Sequence, residues 1–109
     1  MKLSIALVLF ALMIRTAPLL AAGDAKAGKA VYDTKCKLCH GAAGEGNAAV
    51  AKTLKAEFKP LGSQPVQAKS DDEMKKQISQ GGGKMKAITG LSAKDIENVT
   101  AFVRGLAKT

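Results

Sequence analysis

The sequence predicts an all-α fold of three to four short helices. Three observations carry that expectation. Ile96, Val99, Phe102, Val103 and Leu106 recur at helical spacing and form one apolar stripe. Two stretches open on a serine with an acid three residues on, Ser70 with Glu73 and Ser92 with Asp95, the pattern of a reciprocally capped helix start. No stretch shows the strict apolar–polar alternation of a half-buried strand, and no internal repeat is present.

The first helix is expected from about Asp24 to His40. Asp24 suits its N-cap, and Ala25, Ala27, Ala30 and the lysines favour its interior. Gly28 and Tyr32 stand at i and i+4, so a gap and a large ring share one face. A helical glycine costs about 1 kcal/mol against alanine, which points to a second element packed close. Gly41, Gly44 and Gly46 mark a loop that runs to Asn47. A short helix over Ala48 to Leu54 follows, with Val50 and Leu54 as its apolar pair. Phe58 to Gly62 and Pro65 read as irregular, with an extended residue before each proline. In the helix opened by Ser70, Asp71, Asp72 and Glu73 complement the dipole, and Met74 and Ile78 share a face. Gly81, Gly82 and Gly83 end it, and Lys84 to Ile88 form a loop. The last helix opens at Ser92, with Arg104 and Lys108 suited to its C-terminal end.

The run Cys36-Lys37-Leu38-Cys39-His40 carries the chemistry. On a helix, positions i, i+3 and i+4 place Cys36, Cys39 and His40 on one face. C-x-x-C-H is the attachment pattern of c-type haem: two thiols add to the porphyrin vinyl groups, and the adjacent imidazole reaches the iron. A CxxC pair admits three other readings. A structural zinc site wants four Cys or His ligands, and the chain has two Cys and one His. A thiol redox pair belongs at a helix start within a βαβ pattern, which is absent here. A disulfide across two residues remains the third.

Length and composition bound the rest. Lys2, the apolar stretch Leu3 to Ile14, then Ala21, Ala22 and Gly23 resemble a secretory signal peptide. Residues 1–22 are therefore expected to be a leader, and residues 23–109 the functional domain. The apolar stretch is shorter than the ~20 residues that span a bilayer. An uncleaved anchor, extended through Leu19 to Ala22 past Arg15, is the alternative. A domain of this size buries only about 60–65% of its unfolded surface, so a bound cofactor would be a welcome nucleus. The formal charge of +8 is spread over scattered lysines with few aromatics between them. That pattern and export argue against nucleic acid and favour solubility, with steering toward acidic redox partners as the sharper reading.

His40 is the sole histidine, so a second iron ligand from this chain cannot be histidine. A carbonyl of the loop Gly44 to Ala48 is the expected partner of its other ring nitrogen. Methionine is the natural distal ligand, and a His/Met pair favours electron transfer. Met1 and Met13 belong to the leader, and Met74 lies on an apolar helix face where core packing explains it. Met85 sits in a glycine-rich loop with no packing stripe, and is the expected ligand. An open sixth site is the alternative.

With these residues in place, the chain resembles a class I monohaem cytochrome c of the small bacterial type, over about Gly23 to Thr109. The resemblance rests on Gly28 and Tyr32, on Cys36 to Gly41, on Gly44-Glu45-Gly46-Asn47, on Gly83-Lys84-Met85, and on Phe102-Val103-Arg104. It implies that the first and last helices cross closely, Gly28 and Tyr32 meeting Phe102 and Leu106. It also implies haem attachment in the periplasm and single-electron shuttling between larger redox complexes through an exposed haem edge. The pattern departs from the family after Met85, where Lys86 replaces the usual proline. A less constrained loop and a more labile Met85 bond are then expected, with Lys84 and Lys86 as neighbours able to replace it.

The expected function is electron carriage by a monomer with redox protein partners, no nucleic acid and no stable membrane insertion once the leader is removed. No catalytic constellation stands beside the motif, so no enzyme activity is expected. Haem-based binding of a small gas at an open site, and a relay domain fixed within one complex, are the competing functions. Lys37, Lys84 and Lys86 are candidate docking charges. Replacing both Cys36 and Cys39 by Ala is expected to leave a poorly folded chain, recognised by loss of a cooperative thermal transition.

Overall fold

The computed structural model describes residues 23–107. The leader assigned to residues 1–22 lies outside them, as do Met1, Met13 and Lys108. The described residues form six helices and no strand: α1 (Ala25–Lys35), α2 (Lys37–His40), α3 (Ala48–Leu54), α4 (Gln64–Gln67), α5 (Asp71–Gln80) and α6 (Ala93–Arg104). The four expected helical regions are all present. Two differences stand out.

The first expected helix is broken at Cys36, whose φ of −121° lies outside the helical range. The Cys36 amide still bonds the Tyr32 carbonyl at 2.8 Å, and the His40 amide bonds the Cys36 carbonyl at 2.9 Å. α1 therefore ends on Cys36 and α2 starts from it. The second difference is α4, where an irregular segment was expected. Ser63 is its extended N-cap, and Pro65 falls within its first two positions. There the missing proline N–H is one of the amides that lack a helical partner anyway. Gln64, the residue before Pro65, is thus helical and not extended.

The caps follow the local chemistry. Asp24 accepts from the amides of Lys26 and Ala27, at 2.9 and 3.2 Å. Asn47 does the same for Ala49 and Val50 at the start of α3. Ser92 and Asp95 form the full reciprocal box. At Ser70 only the serine half is made, to the Glu73 amide at 3.1 Å.

α1 crosses α6 at close range, and this contact organises the fold. A Cβ on Gly28 would lie 1.9 Å from the Asn98 carbonyl oxygen, so the two backbones touch there. The Asn98 side chain, buried in α6, accepts from the Asp24 amide at 2.9 Å. Tyr32 is fully buried beside Val99, and its ring packs on Phe102 with centroids 4.8 Å apart. The expected crossing is therefore present, with Tyr32 on Phe102 as expected, but Gly28 meets Asn98 and Val99. Leu106 lies instead against the glycines of the connecting loops, Gly44 and Gly62.

Met74 and Ile78 bring the buried face of α5 onto this core. Arg104 fastens the end of α6 to the start of α5, donating to Asp71 at 2.8 Å and to the carbonyls of Gln67 and Lys69. Gln67 in turn donates to the carbonyls of Leu61 and Val103. Substituting Gly28→Ala forces the crossing helices apart and is expected to cost roughly 1–3 kcal/mol. Thermal unfolding should show it, while Lys26→Ala on the exposed face should stay within about 0.5 kcal/mol of the wild type.

Candidate cofactor site

α2 is one helical turn, and its C-terminal carbonyls need partners. The loop after it supplies them. The Asn47 side-chain amide donates to the Leu38 carbonyl at 3.0 Å, and the Asn47 backbone amide to that of Cys39 at 2.8 Å. The Gly46 amide donates to the His40 carbonyl at 2.7 Å. From the other side the buried Tyr32 hydroxyl donates to the Gly41 carbonyl. The turn bearing Cys36, Cys39 and His40 is thus held by α1 on one side and residues 46–47 on the other.

This turn faces an apolar cavity of about 350 Å³. Cys36 and His40 line it, and Tyr32, Met74, Ile78 and Val99 form part of its wall. Cys39 is half-buried beside it and does not line it. The two cysteines are not joined in a disulfide. Burial, with Cys39 beside it as a lesser cause, pushes the Cys36 thiol up to about 11. Burial also holds the His40 imidazole below its ordinary value, so the ring is neutral at pH 7 with a lone pair to offer. His40 Nδ1 is buried with no hydrogen-bond partner. The carbonyl expected from Gly44 to Ala48 does not reach it, because that loop presents its amides to the α2 backbone. Phe58 packs edge-on to the His40 ring, with centroids 5.5 Å apart.

Met85 enters the cavity from the loop between α5 and α6. Gly82 and Met85 exchange two backbone hydrogen bonds of 3.0 Å, closing a tight turn over Gly83 and Lys84. Gly81 starts this turn at φ +72°, where a Cβ would meet the Met85 carbonyl oxygen at 2.6 Å. The Ile88 amide brings the loop back to α5 by bonding the Ile78 carbonyl at 2.9 Å. Gln77 on α5 donates to Met85 Sδ at 3.5 Å and to the Gly82 carbonyl at 3.3 Å. The loop is therefore more constrained than the lysine after Met85 implied.

Residues 23–103 match the family described as cytochrome C oxidase, cbb3-type, subunit III. The chain belongs to the cytochrome c family. It is a monohaem cytochrome of the class I type. It is 34% identical over 90 residues to cytochrome c-554(547) of Halothiobacillus neapolitanus, spanning 78% of this chain and 99% of that protein. It is 39% identical over 103 residues to cytochrome c6 of Rippkaea orientalis, spanning 93% of this chain and 86% of that one. The solved structure of the KustC0563 c-type cytochrome superposes with a TM-score of 0.64 at 27% identity, covering 74% of this chain and 98% of that structure.

The cofactor of this cytochrome c is one covalently bound haem with its iron. The cavity suits it: an apolar volume within the ~300–1,000 Å³ range of cofactor pockets, with a desolvated thiol, a neutral imidazole and a thioether in its lining. Among the described residues no group of three or more His, Cys, Asp or Glu side chains could hold a metal ion.

Two participants were missed in the sequence. Phe58 lies in an irregular stretch with no periodicity to place it. Gln77 carried a signal that could have found it: it sits between Met74 and Ile78, a polar residue in a buried stripe.

The site's support has a measurable pH signature. Burial is the main cause that pushes the Tyr32 hydroxyl up to about 12. Its value is raised on folding, so this stabilisation is whole below pH 10 and is lost as pH rises from 10 to 12. The loss should be on the order of 2–3 kcal/mol. Denaturant unfolding at stepped pH should register it in the wild type and not in Tyr32→Phe.

Proposed function

We propose that this cytochrome c is an exported single-electron carrier whose haem is tethered by Cys36 and Cys39, with His40 and Met85 as the two iron ligands. The observation that carries this reading is the convergence of Cys36, His40 and Met85 on one apolar cavity. Met74 lines the same cavity, but it is only 6% exposed and packs in the α5 face, where core filling accounts for it.

The haem iron supplies the one-electron change between ferric and ferrous states. The protein's part is to keep the same two ligands in both states, so that little moves when the electron does. His40 meets this need as a neutral ring on a turn fixed at both ends. Met85 meets it through a closed turn with Gln77 against its sulfur. Apolar walls from Tyr32, Ile78 and Val99 would shield a bound haem from water. Electron carriage needs no acid or base, and the chain's one histidine is taken by the iron, so the reading is of a carrier and not an enzyme.

Residues 1–22 are read as the export leader and residues 23–109 as a monomeric periplasmic domain. Among the described residues no helix is long and apolar enough to cross a membrane. Redox proteins with acidic surfaces are the proposed partners. Lys37 and Lys86 are exposed charges for docking them.

The purified oxidised protein should give a low-spin visible spectrum with the weak red band of sulfur–iron charge transfer, and its reduced form should resist carbon monoxide. Met85→Ala should lose the red band and bind carbon monoxide readily, whereas Met74→Leu should keep both wild-type properties. A high-spin wild type that binds carbon monoxide at once would replace this reading with a gas-binding one.

A further inference from the structure

Lys84 lies at the corner of the turn that presents Met85, and its ammonium does not point freely to solvent. Nζ donates to the Leu54 carbonyl at 2.9 Å and also to the Lys55 carbonyl, residues about thirty positions earlier in the chain. Both acceptors belong to the end of α3. Leu54 is its last residue, and Lys55 is its C-cap at φ +51°, the one non-glycine among the described residues with a positive φ. Carbonyls at such an end lack helical partners and carry partial negative charge, so a cation suits them.

The position of this contact gives it a consequence. Leu54, Lys84 and Met85 all line the cofactor cavity. Leu54, 41% exposed, and the exposed Lys84 mark its rim. The bonds therefore join two sides of the rim: the loop carrying Met85, and the end of α3 with the residue that follows it. Gln77 holds the same loop through Gly82 and the Met85 sulfur. Lys86, standing where proline is usual, contributes no side-chain hydrogen bond or ion pair within the described residues.

We propose that Lys84 is a positioning residue for the distal iron ligand, a latch that keeps the Met85 loop closed across the cavity rim. It takes over restraint that a proline after Met85 would provide. This inference rests on the reading of Met85 as an iron ligand. A competitor binds the iron only while the loop is open, so its apparent affinity reports the open fraction. Removing the latch raises that fraction.

The test uses the oxidised holoprotein at pH 7 and constant ionic strength, titrated with imidazole while the red sulfur–iron band is followed. Lys84→Ala should bind imidazole about five- to ten-fold more tightly than the wild type, because a larger open fraction tightens apparent binding in proportion. Lys84→Arg, which keeps the cation, should stay within about two-fold of the wild type on the same relation. Lys86→Ala removes the same charge beside Met85 without touching the latch, and should leave the affinity unchanged. Thermal unfolding of Lys84→Ala should shift little, which separates positioning from general stability. An unchanged imidazole affinity in Lys84→Ala, with the red band intact, overturns the latch alone. An equal shift in Lys86→Ala also overturns it, since charge would then be the cause. A wild type lacking the red band overturns the Met85 reading, and the latch with it.

Discussion

The contact of the Gly28 backbone with Asn98 is the constraint on which the rest of this structure depends. Without a side chain at Gly28, α1 and α6 approach to backbone contact. That approach buries Tyr32 completely and seats it on Phe102. The buried ring then has a polar end that must find a partner, and it finds the Gly41 carbonyl at the end of the Cys36–His40 turn. A helix crossing some distance from the motif therefore fixes the height and orientation of the turn that carries it. The energetic logic runs through one residue: Tyr32 is both the core of the crossing and a tether for the site.

The two halves of the site are built on different principles. The Cys36–His40 half is rigid because short-range backbone groups satisfy one another. The carbonyls of Leu38, Cys39 and His40 all receive donors from residues 46–47. The Met85 half has no helix under it. It is held by a two-residue turn, by the return of Ile88 to α5, and by side chains arriving from α5 and from within the loop. Such a loop can change its restraint by single substitutions without unsettling the core. That is a physical reason to find a departure from the family pattern at Lys86 and not at Gly28 or Tyr32.

How much of this was legible in the sequence follows from the range of each interaction. The caps at Asp24, Ser70 and Ser92 depend on neighbours two or three residues away, and they form where the sequence places them. The apolar stripe of α6 and the close approach at Gly28 are also written in local spacing. The break at Cys36 is not, because alanine- and lysine-rich sequence gives no reason to stop there. The one-turn helix α4 hid behind Pro65, since proline breaks a helix interior but suits its first turn. The missing carbonyl partner of His40 Nδ1 had a similar cause: the loop after α2 turns its donors, not its acceptors, toward the α2 backbone.

Lys84 marks the limit of reasoning from charge. Three lysines beside the motif and the ligand loop look alike in a sequence with a formal charge of +8. Lys37 and Lys86 are exposed and remain candidates for meeting a partner. Lys84 is also exposed, yet its ammonium is occupied by two carbonyls across the cavity rim. A cation in that position still adds to the long-range field that steers an acidic partner, because hydrogen bonding leaves its charge in place. It cannot extend to pair with that partner without releasing the loop. The same residue would then tie docking to the restraint on the iron's distal ligand, a connection that neither net charge nor motif spacing contains.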